Sequence, residues 1–137
     1  MHKHDGIFLS SLRPMTECAV KAFPDTANWK PQEVVVTSLD KWAMSQELQP
    51  PILIKMDVQG YERNVIQGGS ATIKKAHLVL TEVSFRELYA GEWLFDDLYQ
   101  ALRAAGFCCV GMGHPLSDRN TGRTLQNDIL FARDSSR

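Results

Sequence analysis

Lys55 and Asp57 alternate with apolar positions in Ile52-Leu53-Ile54-Lys55-Met56-Asp57-Val58, a run otherwise suited to a strand buried on both faces. A charge taken out of water is costly unless it is paired. Two readings stay open for these residues: a structural ion pair, with Asp57 also able to cap a helix near Tyr61, or a functional group held at a strand end. In an open parallel sheet, ligands bind beyond the carboxyl ends of the strands. That rule selects Asp40, one turn past an earlier strand, then Asp57, Glu82 and His114. Asn127-Asp128 joins them at the same rim when the last strand runs the other way. Several acids therefore gather at one rim. The spacing demands no metal, and none is assigned.

Other chemistries lack their residues. Gly111-Met112-Gly113 leaves a strand into His114-Pro115 and not into a helix, so it is no dinucleotide fingerprint. Gly68-Gly69 reads as a bend. There is no nucleophile elbow, HExxH or CxxC, and the three cysteines, two of them the adjacent Cys108 and Cys109, form neither a disulfide framework nor a metal spacing. His2 and His4 read as polar residues of a loose terminus.

The elements that must position the carboxylates follow from the patterning. Glu33-Val34-Val35-Val36-Thr37 is β-branched and reads as a strand. Ser38 is a plausible N-cap for a helix carrying Leu39, Trp42 and Ala43 and reaching about Leu48, where Pro50-Pro51 stops it. After the strand 52–58, Tyr61, Val65 and Ile66 give helical spacing up to Gly68-Gly69, and a short helix 71–76 follows. Leu78–Val83 is a second buried strand. Leu94, Leu98 and Leu102 define a helix over about 94–105, closed by Gly106. Phe107–Met112 and Asp128–Ala132 are the last strands, with no helix between them and therefore antiparallel. Near the start, Gly6–Ser10 reads as a short strand, and residues 14–31 carry too many breakers for a long helix. The alternation predicts an α/β fold with a mostly parallel sheet of about five strands and an antiparallel last strand. An irregular arm (1–32), the α/β domain (33–133) and a disordered tail (134–137) complete the expected organisation.

Composition agrees with a globular domain: 137 residues, 44% hydrophobic, 23% charged, net charge -1. Nothing favours a nucleic-acid partner or a membrane, and Lys74-Lys75 reads as a solvated helix end. With no signal-peptide core and no disulfide framework, a cytoplasmic location is expected.

Val36-Thr37-Ser38-Leu39-Asp40-Lys41-Trp42 followed by Ile54-Lys55-Met56-Asp57-Val58-Gln59-Gly60-Tyr61-Glu62 resembles the FkbM methyltransferase family. Val65–Gly69, Leu80–Ser84, Gly106-Phe107 and Asn127–Phe131 resemble further family motifs in the same order, so the resemblance covers about residues 34–132. It implies a Rossmann-like class I methyltransferase fold, S-adenosylmethionine as cofactor, and methyl transfer to a hydroxyl of a sugar or secondary metabolite. It also implies roles: Asp57 as base with Glu62 as helper, Glu82 as a further catalytic carboxylate, and Asp40 and Asp57 beside the cofactor. The family's opening DVGAxxG strand and loop have no counterpart here, so the expected fold is a truncated one and cofactor binding is expected to be weak. The other reading is a non-catalytic, methyltransferase-derived binding or assembly module. A flavodoxin-like signalling domain is disfavoured, because no acidic cluster follows a first strand. Without the family's first strand, 52–58 would be an apolar sheet edge. Val34–Thr37 is expected to pair in parallel with it; the competing outcome is a homodimer joined through that edge.

Overall fold

The last strand in the sequence stands in the middle of the sheet. The computed structural model describes residues 1–4, 10–23 and 29–134. Its main sheet uses β3 (Leu53–Met56), β4 (Leu78–Ser84), β5 (Phe107–Met112), β6 (Leu116–Ser117) and β7 (Thr124–Arg133), in the order β3-β4-β7-β5 with β6 also on β7. A separate antiparallel ribbon joins β1 (His2–His4) to β2 (Trp29–Pro31). The helices are α1 (Glu17–Ala22), α2 (Leu39–Ala43), α3 (Glu62–Gly68), α4 (Ser70–Lys75) and α5 (Phe95–Ala104). The expected strand at Gly6–Ser10 lies almost wholly outside the described residues.

The mixed α/β class and the five-stranded sheet agree with the sequence reading; the mostly parallel sheet does not. Only β3 and β4 pair in parallel, while β7 pairs antiparallel with β4, β5 and β6. The cause is the helix-free connection after β5. It returns β7 between β4 and β5, so strands that share a direction are separated by one that opposes them.

Glu33–Thr37 forms no strand. Val35 is fully exposed and Val34 and Val36 are exposed as well. A β-branched run becomes a strand only where a neighbour completes its ladder, and the predicted pairing with 52–58 is absent. That leaves one edge of β3 without a strand partner among the described residues. β3 is also not buried on both faces. Ile54 and Met56 join the core, whereas Leu53 is 56% exposed on the opposite face. The helix after Ser38 starts as predicted, with the Ser38 hydroxyl accepting from Lys41 N–H. It stops early, at Ala43, where Ser45 Oγ donates to the Trp42 carbonyl and competes with the helix ladder.

Alternate residues of the strands meet the helices in one core: Met56, Val79, Val83, Ile129 and Phe131 against Ile73, Leu98 and Leu102. Leu98 and Leu102 are buried as the four-residue spacing predicted, and Gly106, at φ +89°, closes α5 in the left-handed region. A second cluster packs Ala19 of α1 on Leu88, Tyr89 and Leu125.

Phe131 is fully buried in the central strand. Phe131→Ala should lower the free energy of unfolding in urea by about 3–5 kcal/mol. Val35→Ala, at a fully exposed site, should change it by less than about 0.5 kcal/mol.

Candidate active site

β3 ends in a turn built from residues that the family-like motif contains. After Asp57 and Val58, Gln59 adopts φ +51° and Gly60 φ +87°, and the chain then enters α3. Left-handed backbone at Gln59 is disfavoured for a residue with a side chain, so its surroundings must hold it there. At Gly60 no side chain fits: a Cβ would lie 2.5 Å from Tyr89 Cβ. Beneath the turn, Ser11 Oγ donates to the Gln59 carbonyl at 2.6 Å. Glu62 Oε1 accepts from Val58 N–H at 3.3 Å, bracing the turn from α3.

The Gln59 amide links two of the predicted carboxylates. Its Nε2 donates to Asp57 Oδ1 at 2.8 Å and to Glu82 Oε2 at 3.3 Å, and its Oε1 accepts from the Tyr89 hydroxyl. Glu82 Oε2 also accepts from Gln126 Nε2 at 2.9 Å. The same Gln126 nitrogen donates to Ser84 Oγ, and Ser84 Oγ donates to Glu92 Oε2 at 2.9 Å. Glu92 Oε1 accepts from the backbone N–H groups of Leu88 and Tyr89. The hydrogen bonds thus close a ring from Gln59 through Glu82, Gln126, Ser84 and Glu92 to Tyr89 and back.

Burial and like charge set the acidities. Burial pushes the Glu82 carboxyl up to about 7, helped by Asp57, Asp128, Glu62 and Glu92. Asp128 stands directly across from Glu82 on β7. Burial also raises Glu62 and Glu92, although backbone N–H donors oppose the rise in both, and it raises Tyr89 with the surrounding carboxylates.

The structure therefore brings Asp57, Glu62, Glu82 and Asp128 together. His114 is exposed and takes no part in the ring. Asp40 is engaged elsewhere. Its Oδ1 accepts from Thr72 N–H at 2.7 Å and Thr72 Oγ1 at 2.6 Å, and its Oδ2 from Ala71 N–H at 3.1 Å, so it caps α4. The Thr72 hydroxyl and these N–H groups lower its pKa. Lys55 does pair with Asp57, at 3.3 Å, but in the open: their side chains are 58% and 44% exposed. The buried ion pair is corrected to a solvated one: Leu53, two residues before Lys55 on the same face of β3, is exposed as well. Asp57 does not cap α3 either; the cap position is Tyr61, with no side-chain bond.

Gln59, Ser84, Tyr89, Glu92 and Gln126 were not singled out by the sequence reading. Gln59 carried a signal, as a polar residue directly before the turn glycine. Tyr89 and Glu92 had none, since they lie in a loop without periodicity.

Asp57 also lines a cavity of about 720 Å3. Its lining includes Val36, Leu39 and Trp42 from one stretch and Val58, Tyr61 and Asn64 from another. The cavity is thus framed by the same two stretches, 36–42 and 54–62, that carry the motif resemblance. Residues 6–109 match the methyltransferase FkbM domain. The chain belongs to the FkbM methyltransferase family. Within it, 62 residues are 44% identical to 2-O-methyltransferase NoeI of Sinorhizobium fredii (strain NBRC 101917 / NGR234), a stretch that is 45% of this chain and 26% of that protein. The chain therefore spans about a quarter of that relative's length. No solved structure matches. Among the described residues, no three His, Cys, Asp or Glu side chains are grouped to hold a metal ion, and no helix is long and apolar enough to cross a membrane.

Glu82 gives this FkbM site a pH signature. With its folded pKa about 7, above the ordinary 4.5, the folded state holds a proton that the unfolded chain releases. The group's contribution to stability is full below about 4.5 and is lost as pH rises to about 7. Urea unfolding at stepped pH should show Glu82→Gln gaining on the wild type across that interval. A constant difference would mean that Glu82 titrates normally.

Proposed function

We propose that the chain takes part in S-adenosylmethionine-dependent O-methyl transfer to a hydroxyl of a small molecule, a sugar or a secondary metabolite. The observation that carries the reading is the Asp57 carboxylate at the wall of the cavity, gripped by Gln59 on one oxygen. The cavity suits the cofactor in size, since small-molecule sites run to about 300–1,000 Å3. Its lining suits it in kind. Val36, Leu39 and Trp42 offer an apolar and aromatic wall, and Asp57, Ser38 and Asn64 offer polar groups. When bound, the cofactor supplies an electrophilic methyl group on a positively charged sulfur.

The chain's own residues would then do the following. Asp57 Oδ1 stays with Gln59, while Oδ2, now paired with Lys55, is free to exchange that partner. An exposed ion pair is worth about 0–1 kcal/mol, so an acceptor hydroxyl displaces Lys55 at little cost. Asp57 would take the proton that the acceptor hydroxyl gives up as its oxygen receives the methyl group that the bound cofactor would supply. Glu82 lies one amide away, held by the same Gln59 nitrogen. Glu62 supports the turn through Val58 N–H and acts through position. Asp40 contributes by fixing α4, which packs on α2 beside the cavity. The three cysteines in the described residues are free thiols, which suits a reducing cytoplasm.

A second reading has its own observation. The edge of β3 that has no strand partner among the described residues, with Leu53 and Val34 to Val36 exposed, favours a binding or assembly module, including a homodimer through that edge.

Amide NMR with S-adenosylhomocysteine separates the two. On the methyltransferase reading, the signals of Leu39, Asp57, Val58 and Tyr61 shift together, with a Kd no tighter than roughly millimolar, about -4 kcal/mol. The weakness is expected because the chain has no glycine-rich loop to supply backbone donors. No shift at these four residues, with concentration-dependent broadening along Leu53–Met56, would replace it by the assembly reading.

A further inference from the structure

Gln59 touches two of the site's carboxylates, Asp57 and Glu82, and is itself fixed from other elements. Asp57 belongs to the end of β3, Glu82 to β4, Tyr89 to the segment after β4, and Ser11 to the stretch before α1. The residue is 8% exposed and its backbone is left-handed, so the position is held against its local preference. A residue needed only to make the turn would be served better by glycine or asparagine at such a φ. A glutamine makes sense for what its amide does. Both ends of an amide are similar in shape, and only one end donates. The Tyr89 hydroxyl donates to Oε1, which leaves the NH2 end facing Asp57 and Glu82. Tyr89 is in turn seated by the absence of a side chain at Gly60.

We propose that Gln59 is a positioning residue of this site: its amide, oriented by the Tyr89 hydroxyl, holds Asp57 by Oδ1 and presents Oδ2 as the oxygen that exchanges Lys55 for an acceptor hydroxyl. The role rests on the methyl-transfer reading above. Bridging also couples the two carboxylates, because one NH2 group serves both. The groups that face Glu82 are Asp57 at the end of β3, Asp128 on β7, Glu62 on α3, and Glu92 and Tyr89 after β4. All are acidic or neutral, so the amides of Gln59 and Gln126 are the donors that favour its charged form.

Carbon-detected NMR titration of the Asp57 and Glu82 carboxyl groups in the full chain tests this in wild type, Gln59→Met and Tyr89→Phe. Gln59→Met keeps the length and removes the amide; Tyr89→Phe keeps the ring against Gly60 and removes only the hydroxyl. In Gln59→Met the Glu82 midpoint should rise by about one pH unit, and the Asp57 signal should respond less to the Glu82 titration. Tyr89→Phe should move both in the same sense by less. A folded Gln59→Met with both titrations at their wild-type positions overturns the proposal. Should Gln59→Met not fold, Tyr89→Phe decides alone, and wild-type titrations there overturn it. No methyl donor is present in these samples. Failure of the wild type to shift with S-adenosylhomocysteine would therefore count against the methyl-transfer reading, and unchanged titrations against the Gln59 role.

Discussion

Three glutamate and two aspartate carboxyls crowd one end of this sheet, and a closed ring of hydrogen bonds makes that tolerable. Buried acids are stable only when each is supplied with donors or keeps its proton. Here both remedies are used. Glu92 takes two backbone N–H groups and a hydroxyl, and Glu82 takes two side-chain amides while burial drives its acidity toward neutral. The ring draws on β4, β7, the turn after β3 and the loop before α5. Its geometry exists only when all four are docked.

The local elements were legible in the sequence because their signals are local. Ser38 as a cap, the Leu98 and Leu102 face of α5, the break at Gly68-Gly69 and the left-handed Gly106 each follow from a few neighbouring residues. Sheet order was not, since the place of β7 between β4 and β5 is decided by which edges are left open. Val34–Thr37 shows the same limit in reverse. Its residues prefer a strand, but a ladder needs a second strand, and none among the described residues is presented to it.

The carboxylate group was half legible. Strand-end logic gathered Asp57 and Glu82, and the family-like motif brought in Glu62, because a rim is defined by element ends. The same logic pointed to Asp40, whose carboxylate instead satisfies the free N–H groups at the start of α4. Partners such as Tyr89 and Gln126 lie 30 and 44 residues from the groups they bind. No periodicity spans such distances. The Lys55–Asp57 pair was read as buried because the run around it is apolar; an apolar strand at the edge of a sheet with one covered face still shows its other side to water.

The central place of β7 has a consequence for how the chain is made. During synthesis β4 and β5 leave the ribosome well before the strand that must stand between them. Until residues near 133 are free, Val79 and Val83 have no neighbour on the β7 side, and β5 has no ladder at all. The nascent chain thus carries two open apolar edges for the time needed to add about twenty residues, roughly one to four seconds at ordinary elongation rates. Over that interval these edges are open to mispairing with other strands, and any delay of β7 lengthens their exposure.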